Sequence, residues 1–333
     1  MSNIDETFNN IHAQNSNNFP QQTQSSKMPC TIGQLLAIFI PVCIAGLFAA
    51  IFVPIYVHHN NKDKKIIIVN NPVKEPIEFD DFEENVTNIL CDTLTPKEGY
   101  DNILIFLMGI SEVANLYIDF FKSNETFVPK GTKIYFLSGP ARQMQFAIDY
   151  YNISAPIPGW FNIDSRATLY PEAHNFTEAK VSLNYVLDEI DRIKNEENVD
   201  YRNIYLGGFS QGAMMTNYVL LNSRHELGGY IPYSGYVFDH DFLENQIIPV
   251  SQLTQTQLDK LDARKNYHII ATLSYKDNRV FYPIAAPSYQ NYYENYTNFV
   301  FLSFGVLNHL FPPQPVHSLI KKWLLKRMGK EEE

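Results

Sequence analysis

Apolar and polar positions alternate on two length scales in the chain after residue 100. Short apolar runs with the character of buried strands are NILIFLM (102–108), KIYFLS (133–138), NIYLGGF (203–209), GGYIPYS (228–234), YHIIATL (267–273) and NFVFLSF (298–304). Apolar residues at helical spacing mark 172–195, and 211–222 and 314–328 also fit helices. Strands that alternate with helices predict an α/β fold whose mostly parallel sheet is covered on both faces.

The first part of the chain has a different pattern. Residues 1–30 are polar and rich in Asn, Gln and Ser, which predicts a disordered tail. Residues 31–57 carry no charge over 27 positions, and about 20 apolar residues are enough to cross a bilayer. We therefore predict a single transmembrane helix over 31–57. The alternatives are a buried core helix or a cleaved signal peptide, although the apolar region of a signal peptide is shorter and starts nearer the N-terminus.

The side of the membrane follows from the flanking charges. Lys62, Lys64 and Lys65 follow the apolar segment, whereas Lys27 alone precedes it. The positive-inside rule then favours a cytosolic C-terminal domain for this single-pass membrane protein. Five N-x-S/T sequons leave a lumenal domain as the alternative. They begin at Asn85, Asn124, Asn152, Asn175 and Asn295.

The domain division follows from these patterns and from composition. Residues 58–76 form a polar linker, and residues 77–333 are expected to be one α/β domain. The chain is 45% hydrophobic, which excludes a protein made wholly of disorder. A net charge of −10 argues against a nucleic-acid partner. Cys91 is the one cysteine after residue 43, so the domain has no internal disulfide framework.

The strongest chemical signal is Gly208-Phe209-Ser210-Gln211-Gly212, between a predicted strand and a predicted helix. G-x-S-x-G in that position is typical of the nucleophile elbow of an α/β-hydrolase fold. Only glycine fits where a tight turn brings the chain close to itself on both sides of the serine. The alternative is a chance match, of which about 0.04 are expected in this chain.

A serine nucleophile needs an acid and a base, in the chain order Ser, Asp/Glu, His for this fold. Asp277 follows the strand YHIIATL, where it is also suited to form an Asx-turn. His309 follows the last predicted strand, whereas its rival His317 lies within a helix, where such a ring is usually solvated. We therefore predict Ser210, Asp277 and His309 as the catalytic residues.

Two backbone N–H groups should stabilise the oxyanion of the reaction. One belongs to Gln211, which follows the nucleophile. The other should come from the loop after the first central strand, where Ile110 follows Met108-Gly109. No group of His and Cys has the spacing of metal ligands, so no metal is predicted.

Several motifs together resemble the acyl-protein thioesterase family, also called the phospholipase/carboxylesterase group. They are FLMG, the SGP…R…GWF stretch (138–161), GGFSQGAMM, YSG (233–235) and the loops of Asp277 and His309. The resemblance covers about 100–328. It implies an α/β-hydrolase with a Ser-Asp-His triad, no cofactor, and acylated proteins, lipids or small esters as substrates. It also implies Trp160 and Phe161 as substrate-binding residues, with core packing as the alternative.

The chain departs from the family pattern at three places. Met108-Gly109 stands where the family usually has His-Gly, Asp277 has altered neighbours, and Asn308 precedes the histidine. The expected function is a membrane-anchored serine hydrolase that cleaves carboxylic esters or thioesters through an acyl-enzyme. The alternative is a hydrolase fold kept as a binding or scaffold module.

Overall fold

The computed structural model describes the part of the chain that was expected to form the α/β domain, together with one short strand before it. The described residues are 56–59, 82–85, 91–123, 126–163, 174–223, 225–237, 255–293, 295–305 and 308–330. The predicted tail at 1–30, residues 31–55 of the predicted transmembrane helix and residues 60–76 of the linker lie outside these ranges.

A nine-stranded sheet lies at the centre of the described residues, in the order β1-β11-β10-β9-β8-β4-β5-β3-β2. The six strands from β11 to β5 are parallel to one another, and β1, β2 and β3 are antiparallel to their neighbours. A separate antiparallel pair joins β6 to β7. The strands are β1 (Tyr56–His59), β2 (Phe82–Asn85), β3 (Cys91–Pro96), β4 (Asn102–Leu107), β5 (Thr132–Leu137), β6 (Ala141–Arg142), β7 (Ile157–Pro158), β8 (Ile204–Phe209), β9 (Gly229–Tyr233), β10 (His268–Ser274) and β11 (Asn298–Phe304).

Helices cover both faces of this sheet. Alternate residues of β4 point to opposite faces, so Ile103, Ile105 and Leu107 pack in one core cluster and Leu104 and Phe106 in the other. The first cluster includes residues of α3, α4, α5 and α6, and the second includes residues of α1 and α7. The helices are α1 (Ile118–Lys122), α2 (Gln145–Tyr151), α3 (Phe176–Glu196), α4 (Gln211–Asn222), α5 (Gln255–Asp262), α6 (Tyr282–Tyr293) and α7 (Gln314–Arg327).

The predicted elements of the domain are confirmed, with small shifts at their ends. All six predicted strands are present, each within one residue of its predicted bounds. Helix α4 has the predicted bounds, and α7 ends one residue earlier than predicted. Helix α3 begins at Phe176 rather than at 172, because the side chain of Asn175 caps it by accepting a hydrogen bond from the Glu178 N–H. The α/β class with a mostly parallel sheet is therefore confirmed.

The end of the predicted transmembrane segment differs from the prediction. Tyr56 and Val57 belong to β1, where they pair with Ser303 and Leu302 of β11, and His58 and His59 of the predicted linker continue that strand. An apolar run alone does not distinguish a helix from an edge strand that adds to a sheet. None of the helices in the described ranges combines the length and the apolarity that crossing a membrane requires.

Helix α4 is fastened to its neighbours by a buried asparagine. Asn217 Nδ2 donates to the carbonyl of Tyr236 at 3.0 Å and to the hydroxyl of Tyr289 at 3.1 Å. The hydroxyl of Tyr293 donates to Asn217 Oδ1 at 3.1 Å. Tyr289 and Tyr293 lie on α6, so this one amide joins α4, α6 and the chain after β9. A buried amide with all these partners is stabilising, and its loss leaves polar groups short of partners.

We expect Asn217→Ala to lower the free energy of unfolding by about 2–3 kcal/mol, because it removes three buried hydrogen bonds. The measurement is urea unfolding followed by circular dichroism. Asn222→Ala is the control on the same helix, since the hydrogen bond of Asn222 Nδ2 among the described residues goes to the Tyr218 carbonyl within that helix. Equal losses for the two variants would contradict the role given to Asn217.

Candidate active site

The turn from β8 into α4 holds Ser210 in an unusual backbone conformation. Ser210 has φ 56° and ψ −117°, and its N–H donates to the carbonyl of Tyr233 in β9 at 2.9 Å. Positive φ is costly for a residue with a side chain and persists only where the surroundings impose it. The turn lies at the carboxyl end of a central parallel strand, the edge where open α/β sheets place their reactive groups.

Glycines at both flanking positions allow this turn. A Cβ on Gly212 would overlap the carbonyl of Leu107 at the end of β4, and a Cβ on Gly208 would overlap the backbone of Gly212. Each contact is with main-chain atoms, which cannot rotate away. The close approach of the chain to itself was predicted for both glycines and holds for Gly208, whereas Gly212 packs against β4, which the sequence did not indicate.

Asp277 is a buried carboxyl group with partners on both oxygens. Its Oδ1 accepts hydrogen bonds from the N–H groups of Arg279 and Val280, both at 2.8 Å. Its Oδ2 lies 2.7 Å from Nδ1 of His309. The bond to the N–H two residues ahead is that of an Asx-turn, so Asp277 forms that turn and contacts the histidine with its two different oxygens.

His309 is held by Asp277 on one side and by an aromatic ring on another. Its imidazole stacks on Phe209, the residue before Ser210, with ring centroids 4.8 Å apart. Its Nε2 is buried and makes no hydrogen bond with any described residue, Ser210 included. Asn308 adopts φ 71°, and its side chain accepts a hydrogen bond from Asn278 Nδ2 at 3.3 Å. The loops that carry Asp277 and His309 are thus linked twice.

The rival histidine lies in a different environment. His317, on α7, is only 4% exposed and packs against the rings of Phe120, Phe127 and Phe311. The expectation that this helical ring is solvated is wrong, because α7 turns this side toward the sheet. Of the two histidines, it is His309 whose ring contacts Asp277.

Ile110 lies in the loop after β4, which hydrogen bonds hold on both sides. Met108 N–H donates to the Leu137 carbonyl at 2.9 Å, and Ser111 N–H donates to the Pro158 carbonyl at 2.7 Å. These bonds tie the loop to β5 on one side and to β7 on the other. Gln211, the other predicted donor, is the first residue of α4, where helical N–H groups have no partner within the helix.

Trp160 and Phe161 lie inside the core rather than on a surface. Both side chains are 0% exposed, which favours packing over the predicted contact with substrate. The buried side chain of Gln211 makes two hydrogen bonds to their backbone. Its Oε1 accepts from the Trp160 N–H and its Nε2 donates to the Phe161 carbonyl, each at 2.7 Å. The indole N–H of Trp160 donates to the Met108 carbonyl at 2.8 Å. The elbow, the Trp160 segment and the loop of Ile110 are therefore one hydrogen-bonded unit.

Two residues of this region were missed by the sequence analysis. One is the side chain of Gln211, for which only the backbone N–H was considered. The other is Glu112, whose Oε2 accepts from the Gly109 N–H at 2.7 Å. Burial raises the pKa of Glu112 to about 7, and hydrogen bonds from Tyr117 and Gly109 oppose that rise. The sequence signal that could have identified Glu112 was a glutamate three residues after the glycine in the loop that follows β4. In the described ranges, no cluster of three or more His, Cys, Asp or Glu side chains is suited to hold a metal ion.

A parallel sheet with helices on both faces, and a strained serine at the carboxyl end of a central strand, define an α/β-hydrolase fold. The sequence profile of the phospholipase/carboxylesterase family matches residues 92–259, about half of the chain. The chain therefore belongs to the phospholipase/carboxylesterase family.

Individual relatives match a smaller part of the sequence. Acyl-protein thioesterase 1 of Kluyveromyces lactis is 35% identical over 80 residues, which cover 24% of this chain and 34% of that protein. Acyl-protein thioesterase 1 of Eremothecium gossypii is 33% identical over 84 residues, which cover 25% of this chain and 34% of that protein. The chain thus spans about a third of the length of these curated relatives.

Solved structures share the fold at low identity. Zea mays acyl-protein thioesterase 2 superposes with a TM-score of 0.53 at 16% identity, covering 72% of this chain and 99% of that one. Arabidopsis thaliana SOBER1 gives a TM-score of 0.53 at 19% identity, and the match covers 68% of this chain and 99% of that one. The Bacillus cereus carboxylesterase gives a TM-score of 0.52 at 12% identity, and the match covers 71% of this chain and 93% of that one.

Gly212→Ala is expected to lower the free energy of unfolding by about 3 kcal/mol or more, because its Cβ meets main-chain atoms of β4. Gly207→Ala is the matched control, since its Cβ would lie 3.4 Å from the nearest atoms, an ordinary contact. We expect that control to lose less than about 1 kcal/mol. Thermal and urea unfolding of both variants measure the difference, and similar stabilities would contradict the packing role of Gly212.

Proposed function

We propose that this protein is a serine hydrolase that cleaves carboxylic esters or thioesters through an acyl-enzyme on Ser210. The observation that carries the proposal is the position of His309. Its Nδ1 is bonded to buried Asp277 at 2.7 Å, its ring stacks on the residue before Ser210, and its Nε2 makes no hydrogen bond within the described residues. An imidazole oriented in this way has one nitrogen available to take a proton from the serine.

In the first half of the reaction, Ser210 Oγ attacks the carbonyl carbon of the substrate while His309 Nε2 accepts its proton. Asp277 keeps the other imidazole proton on Nδ1 and stabilises the imidazolium that forms. The tetrahedral intermediate then collapses, and His309 gives its proton to the departing alcohol or thiol. The acyl group remains on Ser210 as an ester.

In the second half, water takes the place of the serine hydroxyl. His309 accepts a proton from the water as its oxygen attacks the acyl carbon, and a second tetrahedral intermediate forms. Its collapse breaks the bond to Ser210 Oγ, which regains the proton from His309. The carboxylic acid leaves, and every group of the protein returns to its starting state.

The negative charge of each intermediate falls on the former carbonyl oxygen. We assign the N–H groups of Gln211 and Ile110 to bind it, because Gln211 follows Ser210 and the Ile110 loop is hydrogen-bonded through Trp160 to Gln211. Gln211 N–H also lies at the positive end of α4. The side chain of Gln211 supports this assignment, since it ties the elbow to the segment whose indole holds the Ile110 loop.

An apolar acyl substrate is favoured by the surface around these loops. The described chain exposes five large hydrophobic side chains, and Tyr275 and Phe281 are within four residues of Asp277. A third, Tyr151, accepts a hydrogen bond from Arg279 Nη2 at 2.9 Å. Apolar side chains exposed near a candidate site favour an apolar partner there. The named relatives include acyl-protein thioesterases and a carboxylesterase, which agrees with this substrate class.

Ser210→Ala is expected to abolish labelling by a fluorophosphonate probe and hydrolysis of p-nitrophenyl and thioester acyl substrates. Asp277→Asn should lower kcat by about a thousandfold or more, because the imidazole loses the partner that fixes its tautomer. His309→Ala should lower kcat to a similar extent. Steady-state kinetics on folded protein, checked by circular dichroism, measure these losses.

The control for His309→Ala is His317→Phe, which keeps an aromatic ring among the phenylalanine rings that His317 contacts. We expect that variant to retain most of the wild-type kcat. An absence of Ser210-dependent label on the folded wild-type protein would contradict the proposal and would favour the binding or scaffold module instead.

We also propose that residues 31–57 anchor the protein to a membrane and that the hydrolase domain is cytosolic. The support is the 27-residue run without charge and the three lysines that follow it. Because Tyr56 and Val57 pair with β11, the spanning part should end by residue 55. An anchored hydrolase meets substrates that are themselves held in the bilayer at a raised local concentration.

The full-length protein is expected to remain with membranes after alkaline carbonate extraction. The pair Ile44→Arg and Leu47→Arg should release it, because each charge at the centre of a span costs about 2.5–3.5 kcal/mol. Ser25→Arg with Ser26→Arg adds the same charge outside the segment and should leave it in the membrane. Release of the wild-type protein by carbonate would refute the anchor, and a mobility shift after endoglycosidase would place the domain in the lumen.

A further inference from the structure

The loop after β4 closes on itself through Glu112. The N–H of Glu112 donates to the Gly109 carbonyl at 3.3 Å, which forms a four-residue turn, and Ser111 has φ 62° as the third residue of a type II turn. The carboxylate of the same residue turns back and accepts from the Gly109 N–H at 2.7 Å. Glu112 therefore bonds Gly109 through both its backbone and its side chain.

Hydrogen bonds within the protein occupy all but one of the backbone N–H groups in this loop. From Met108 to Glu112, the N–H groups of Met108, Gly109, Ser111 and Glu112 each donate to an oxygen within the protein. Among the described residues, Ile110 N–H has no such acceptor. The bonds on both sides of it leave the Ile110 peptide little freedom to rotate. Such fixing of donors before the reaction is how an oxyanion site stabilises developing charge.

We propose that Glu112 is a positioning residue for the oxyanion loop: its carboxyl oxygen, by accepting the Gly109 N–H, fixes the Ile110 peptide, whose N–H we assign to the oxyanion. This inference rests on the proposed function, since it assigns a role within that reaction. The role assigned to Glu112 is to position the turn through its hydrogen bond to Gly109 rather than to contact the substrate. A side-chain acceptor at this place is needed because Gly109, without a Cβ, has wide backbone freedom of its own.

Burial of the Glu112 carboxylate lowers the stability of the folded protein when that group is charged. Its pKa is raised from its ordinary value of 4.5 to about 7 by burial. The titratable groups that act on it among the described residues are Tyr117, which donates a hydrogen bond, and His309, whose charge favours the carboxylate. In the unfolded chain the proton is lost near the ordinary value, so the folded state binds it more tightly between these pH values. Raising the pH through this window therefore lowers stability.

Two variants separate the acceptor from the charge. Glu112→Gln keeps an oxygen for the Gly109 N–H and removes the charge, whereas Glu112→Ala removes both. Gly109→Ala breaks the same contact from the other side, because its Cβ would overlap the Glu112 carboxyl, which is the free end of a side chain and can move. Asp119→Asn, an exposed carboxyl on α1, is the matched control.

We expect Glu112→Ala and Gly109→Ala each to lower kcat for a p-nitrophenyl ester about tenfold or more, with KM within about twofold, since the loss is of a contact made in the transition state. The double variant should lose little more than either single variant. Glu112→Gln should retain kcat within about threefold and raise the melting temperature at pH 8 more than at pH 5. Asp119→Asn should change neither kcat nor the pH dependence of the melting temperature.

Several results would overturn this inference while leaving the hydrolase intact. They are an unchanged kcat in Glu112→Ala, a loss that appears in KM alone, and a Glu112→Gln variant as slow as Glu112→Ala. Fluorophosphonate labelling of wild-type and Ser210→Ala protein is measured beside these variants. If wild-type protein shows no Ser210-dependent label, the proposed function itself fails; if it labels and the variants match it in kcat, only the role of Glu112 fails.

Discussion

The close approach of main chain around Ser210 is the constraint on which the rest of the site depends. Strand β8 and helix α4 meet at so sharp a turn that Gly212 lies against the carbonyl of Leu107 in β4. Ser210 bears positive φ because its neighbours leave no other path, with its N–H bonded to the Tyr233 carbonyl in β9. The strain of one residue is thus supported by three central parallel strands, which are the most fully buried part of the fold.

The same parallel arrangement brings the other groups to Ser210. Strands β4, β8, β10 and β11 run in one direction, so the loops after them gather at one edge of the sheet. These loops carry Ile110, Ser210, Asp277 and His309. Direct contacts then join the loops: the aspartate to the histidine, the histidine ring to Phe209, and Gln211 to the segment that holds the Ile110 loop.

The departures from the family pattern are accommodated by hydrogen bonds within the site. Met108 replaces a histidine, but its N–H and carbonyl hold the loop, and its side chain is fully buried. Asp277 has altered neighbours, yet its Oδ1 is satisfied by the N–H groups of its own loop. Asn308 adopts a left-handed conformation directly before His309, and its side chain accepts a hydrogen bond from Asn278. Main-chain groups therefore make the contacts of Met108 and of the Asp277 loop, whereas the contact of Asn308 is made by its side chain.

Much of the fold was predictable because its signals are local. Buried parallel strands appear as continuous apolar runs, and an elbow appears as two glycines around a serine, each within a few adjacent residues. The positions of Asp277 and His309 followed from chain order and strand ends. The sequence left the burial of Trp160 open as an alternative and did not predict that of His317, since both depend on helices and strands distant in sequence. A four-residue edge strand such as β1 is likewise defined only by the partner it pairs with.

The sequence by itself therefore determined the α/β class and the order of the strands along the chain, and it predicted candidate residues for ester chemistry, because each rests on periodicity or spacing within short segments. Only the tertiary structure decided which oxygen of Asp277 faces His309, that the side chain of Gln211 joins the elbow to Trp160, and that Glu112 closes the turn around Ile110. Two of these contacts join residues more than 30 positions apart, and the third depends on the direction of one side chain within a loop. Distance in space and side-chain direction are set by packing, which no local pattern encodes.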